Sequence, residues 1–117
     1  MTNRARPVIA VDAMGGDHGP AVVVDGALAA LPADAPFDLH LYGDQAAVQA
    51  ELDRHASAES PVTVIPCTQD IDMGESPATA IRSKQDSPIV RAMTDQKKGL
   101  VDAVVSAGST GAMVAAS

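Results

Sequence analysis

Alternation constrains this 117-residue chain more than any other feature. Four short aliphatic segments, Pro7 to Ala13, Phe37 to Gly43, Val62 to Cys67 and Asp102 to Ala107, read as strands. Between them lie helical stretches, Pro20 to Leu31, Asp44 to Ala56 and a long region from Pro77 to Lys98. Aliphatic strands separated by helices predict a parallel sheet covered on both faces, because a parallel connection must cross over the sheet. The expected fold class is therefore α/β, with an open, mainly parallel sheet. Ser76-Pro77 and Ser87-Pro88 each pair a capping side chain with a proline suited to the first helical position, so the long region divides near Asp86. Pro20 suits the same position in the first helix. Gly99 is placed to end the last full helix. The sequence closes about two turns into a further helix after the fourth strand, and residues 1–117 read as the truncated N-terminal part of a single α/β domain.

Composition narrows the classes. The chain is 46% hydrophobic, enough for a core, and Phe37 and Tyr42 are its only aromatic residues, so that core must be aliphatic. No apolar run has the length of a membrane span, and Asp12 with a glycine loop stands where a signal peptide would need its cleavage site. A cytoplasmic protein is expected. Cys67, the single cysteine, reads as a buried thiol, while His40 and His55 fall in a strand and a helix without a partner pattern and read as structural. A net charge of −7 speaks against nucleic acid as a partner, which requires a basic footprint. Residues 82–98 are the exception: five basic and two acidic side chains, against three basic and thirteen acidic elsewhere. That segment is either a solvated helix face or a dock for an acidic partner.

Two glycine loops carry the chemistry. Gly15 to Gly19 and Gly108 to Gly111 each follow an expected parallel strand, and ligands of open α/β sheets bind at the carboxyl ends of strands. Neither loop has G-x-G-x-x-G spacing or the lysine of a Walker A loop, and each by itself also suits an ordinary strand-to-helix turn. Together they offer backbone N–H groups for an anion, joined by the hydroxyls of Ser106, Ser109 and Thr110. Asp17 and His18 form an acid–imidazole pair in the first loop. His18 can act as general acid or base near neutral pH, or serve only to bond its own loop. Asp12 can orient His18 or hold the loop through its N–H groups.

The stretch "IAVDAMGGDHGP" closely resembles the opening signature of the bacterial phosphate acyltransferase family, the PlsX enzymes of phospholipid synthesis. "MGESPATAIRSKQDSPIVRA" resembles that family's helical region, with the Lys-x-Asp-Ser pattern at Lys84, Asp86 and Ser87. "VDAVVSAGSTGAMVA" is similar to its Ser-Ala-Gly-Asn-Thr-Gly-Ala strand and loop, except that Ser109 replaces the usual Asn; Pro88 likewise replaces a second Ser. The three blocks occur in order along essentially the whole chain.

The resemblance implies an enzyme that moves a fatty acyl group from acyl carrier protein to inorganic phosphate, giving an acyl phosphate. It also implies a fold like that of isocitrate and isopropylmalate dehydrogenases, a cytoplasmic homodimer able to work at the membrane edge, and a membrane glycerol-3-phosphate acyltransferase acting downstream. With the loop logic it gives a substrate-binding set of Asp12, Gly15, Gly16, Gly19, Lys84, Ser87, Ser106, Gly108, Ser109, Thr110 and Gly111, with His18 and Asp17 as catalytic candidates. The basic segment would meet the acidic carrier protein, or Lys84 would anchor phosphate. No cofactor or metal is required. Two rivals remain: a dehydrogenase-like or other phosphate-binding α/β enzyme, and an inactive fragment serving only subunit association.

Overall fold

The computed structural model describes residues 6–15, 19–31, 36–54, 62–71, 76–107 and 114–115. Four strands, β1 (Val8–Asp12), β2 (Asp38–Gly43), β3 (Val62–Pro66) and β4 (Ala103–Val105), form one sheet in the order β3-β2-β1-β4, and every pairing is parallel. Four helices connect them: α1 (Ala21–Ala30), α2 (Gln45–Asp53), α3 (Pro77–Ser83) and α4 (Pro88–Lys97). The expected α/β class and the expected division of the long helical region, at Lys84 to Ser87, are both found.

Side-chain alternation along the strands builds two apolar layers. On one face Val11, Leu39 and Leu41 pack with Val24 of α1 and with Val48 and Leu52 of α2. On the other, Val8, Ala10 and Tyr42 pack with Ala92 of α4, Cys67 and Val101. Right-handed crossovers account for this arrangement. The path β1-α1-β2-α2-β3 moves across the sheet in one direction, and the return through α3 and α4 to β4 must pass on the opposite face. The chain therefore leaves β1 toward one side and arrives at β4 on the other, which makes the C-terminal ends of β1 and β4 a topological switch point.

Gly99 has φ 79°, its N–H donates to Gln96 O (3.0 Å) and the Leu100 N–H donates to Asp95 O (2.8 Å), a Schellman end on α4. Prolines stand at the starts of α3 and α4 as expected, but neither Ser76 nor Ser87 makes a side-chain capping bond. Pro20 also shifts by one place: it caps α1, accepting from Val24 N at 2.8 Å, and does not occupy the first helical position. Asp44 is the helix start that does cap with its side chain, accepting from Ala47 N at 2.9 Å. Cys67 is buried, and that burial pushes its thiol up to about 12, as an inert structural cysteine requires. No helix among the described residues is long and apolar enough to cross a membrane.

Candidate active site

Parallel pairing of β1 with β4 aligns Val11 with Val105, so the residues that come next, Asp12 at the end of β1 and Ser106 just after β4, meet at the C-terminal edge of the sheet. The Ser106 hydroxyl donates to Asp12 Oδ2 at 2.8 Å, across 94 residues of sequence. Asp12 Oδ1 accepts from Met14 N at 3.0 Å, folding the first glycine loop back onto its own strand. Of the two roles open to Asp12, holding the loop is therefore visible. Asp12 is 3% exposed. Burial raises its carboxyl above the ordinary carboxylate range, while the bonds from Ser106 and from the Met14 and Gly15 backbone pull the other way.

Gly15 and Gly19 of this loop answer to packing. Gly15 is buried. A Cβ on Gly19 would lie 2.7 Å from Gly15 O and 3.0 Å from Ala13 O, so the loop's own carbonyls fill the space a side chain would need. Gly16, Asp17 and His18, like Gly108, Ser109, Thr110 and Gly111, lie outside the described residues.

The N-terminus of α4 faces the same edge. Ser87, Pro88 and Ile89 line a tight polar pocket with Asp12, Asp70 and Ile71. Ser87 is fully buried and its Oγ has no hydrogen-bond partner among the described residues, although it stands at the helix N-cap. Proline at the first helical position brings no N–H, the first bond of the helix ladder is Arg91 N to Ser87 O (2.9 Å), and Ser87 caps none of the intervening N–H groups. Lys84 is half-buried and its ammonium donates to Asp70 O at 2.6 Å, beside this pocket. The structure thus brings Asp12, Ser106, Ser87 and Lys84 to one edge.

The basic segment divides. Lys84 and Arg91 turn inward, the latter donating to Asp86 Oδ1 (2.6 Å) and Pro66 O (3.2 Å), whereas Lys97 and Lys98 are exposed at the far end of α4, about 15 Å along the helix. Residue patterns gave no role to Thr68 and Arg91 at this edge, yet both bond Asp86, the first from 18 residues away. An aspartate before a Ser-Pro helix start was the available signal, but nothing local to it names Thr68.

Comparison with known proteins identifies the family of this chain. A family model described as "Fatty acid synthesis protein" matches residues 8–117. Among similar curated proteins, a phosphate acyltransferase of Clostridium beijerinckii is 41% identical over 107 residues. One of Caulobacter vibrioides is 44% identical over 110 residues, and one of Limosilactobacillus fermentum is 47% identical over 108. These alignments cover 92%, 94% and 92% of this chain but 32%, 31% and 30% of the respective relatives, so the chain spans just under a third of their length. The chain belongs to the phosphate acyltransferase family, within the fatty acid synthesis proteins of the matched family model.

Proposed function

We propose that this chain supplies the phosphate-binding edge of an enzyme that transfers a fatty acyl group from acyl carrier protein to inorganic phosphate, for phospholipid synthesis. One observation carries the reading: the Ser106–Asp12 hydrogen bond joins the C-terminal ends of β1 and β4, which the two glycine stretches follow in sequence, at a topological switch point that the N-terminus of α4 also faces. Backbone N–H groups and helix N-termini gathered at one edge favour a tetrahedral dianion and a developing oxyanion.

In the proposed reaction an oxygen of hydrogen phosphate attacks the thioester carbon, the carbon–sulfur bond breaks, and the proton of hydrogen phosphate ends on the departing thiol. His18 is the candidate to carry that proton, with Asp17 beside it. Lys84, Ser87, Ser106 and the glycines of both loops are the candidate phosphate and carbonyl contacts. The exposed Lys97 and Lys98 are candidate contacts for the acidic carrier protein, reached from the far end of α4. A cytoplasmic homodimer feeding a membrane acyltransferase completes the proposal.

The test uses the full-length enzyme with acyl carrier protein thioester and labelled phosphate. The parent should form acyl phosphate with no response to nicotinamide cofactors. His18→Ala should retain phosphate binding and lose roughly 10²- to 10⁴-fold in turnover. A parent that transfers acyl groups only to another acceptor would refute the reading.

A further inference from the structure

The turn between α3 and α4 is tied to the segment after β3 by several hydrogen bonds, and the Asp86 carboxylate takes the largest share of them. Asp86 Oδ2 accepts from both Thr68 N (2.9 Å) and Thr68 Oγ1 (2.5 Å), while Oδ1 accepts from Arg91 (2.6 Å). Its own N–H donates to Gln69 Oε1 at 3.0 Å, and its carbonyl accepts from Gln69 N at 3.3 Å. Arg91 closes the ring by donating to Pro66 O. The carboxylate has reason to be held there: a guanidinium in the first turn of a helix opposes the helix dipole, and Asp86 sits where it offsets that charge. Donation from the Thr68 hydroxyl and then from Arg91 holds the carboxyl down at about 2, so it is ionised at any physiological pH.

Immediately after this clamp comes Ser87. A buried hydroxyl without a partner is costly unless something arrives to bond it, and this one shares its pocket with Asp12. We propose that Asp86 is a positioning residue for acyl transfer: by pinning the α3–α4 turn to Thr68 and Arg91, it aims the Ser87 hydroxyl and the first N–H groups of α4 at the phosphate held beside Asp12. This rests on the acyl phosphate reading above. Asp86 touches no substrate; it acts through Ser87.

The experiment compares Asp86→Ala, Asp86→Glu and Thr68→Val with the parent in the full-length enzyme, measuring KM for phosphate, kcat and thermal midpoint. Asp86→Ala should raise the phosphate KM at least tenfold with a smaller change in kcat, and Asp86→Glu, which keeps the charge, should recover part of that loss. Thr68→Val keeps the backbone donor and removes the hydroxyl, so it should raise KM a few-fold even if Asp86→Ala proves too unstable to assay. Variants that melt earlier yet keep the parent's phosphate KM would make the clamp purely structural and overturn the proposal. A parent that forms no acyl phosphate would overturn the function and this proposal with it.

Discussion

Asp12 and Asp86 are carboxylates whose surroundings push them in opposite directions. Burial raises Asp12, so folding favours its neutral form, and its contribution to stability falls as pH rises from the ordinary carboxylate value through the raised one. Asp86 is held at about 2 by Thr68 and Arg91, so its contribution is fully present above the ordinary value near 3.8 and is lost as pH falls toward 2. Denaturant midpoints between pH 2 and 7 should therefore shift in opposite senses: Asp12→Asn should flatten the fall on the rising side, and Asp86→Asn the loss on the acid side. Ser106→Ala takes a hydroxyl donor from a buried carboxylate and should cost about 1–3 kcal/mol at neutral pH, measured the same way. Gly19→Ala places a Cβ against two backbone carbonyls that cannot swing aside, and should lower the unfolding free energy by about 1–3 kcal/mol. An unchanged midpoint would mean that the loop relaxes freely around it.

At the scale of elements, the strands and helices were legible because aliphatic runs and Pro/Gly punctuation are local signals. Val8–Asp12, Asp38–Gly43, Val62–Pro66 and Ala103–Val105 all fall within the stretches that the sequence marks. Capping was less legible. Ser76 and Ser87 have the right identity and position, but neither caps its helix with its side chain, and the Ser87 hydroxyl is fully buried. Strand order was not legible either, since no local pattern says that β1 lies between β2 and β4. The Asp12–Ser106 and Thr68–Asp86 bonds follow from that order and from the crossover over the second face, so residue types could nominate Asp12 and Ser106 but not join them. The Gly99 end of α4 was legible, and it is testable. A side chain there must adopt φ 79°, so Gly99→Ala should cost about 1–2 kcal/mol in a thermal or urea melt. A neutral effect would show that the turn re-forms without the left-handed residue.

For the whole molecule, the sheet is covered unequally. α4 spans β1, β2 and β4 on one face, but beside α1 on the other an apolar cleft of about 420 Å³ opens along Ile9, Val11, Leu39 and Val105. Val22 at its wall is 60% exposed and Val105 is 55% exposed, more than scattered surface apolar residues explain. The 117-residue chain by itself should therefore self-associate as its concentration rises, and Val22→Glu with Val105→Lys should reduce that association; sedimentation across a concentration series checks both. A monomer at every concentration would show that the cleft is tolerated in water.

In the proposed reaction one phosphate is held where Asp12 and Ser106 meet, by the glycine stretches that follow β1 and β4 together with the start of α4. Protection of the full-length enzyme against thermal unfolding by inorganic phosphate tests it without any acyl donor. A concentration-dependent rise in the parent's midpoint is expected, with a smaller rise in Ser87→Ala and Ser106→Ala and none in a folded Gly16→Val, whose added side chain would crowd a bound phosphate. Equal protection of Gly16→Val and the parent would contradict it.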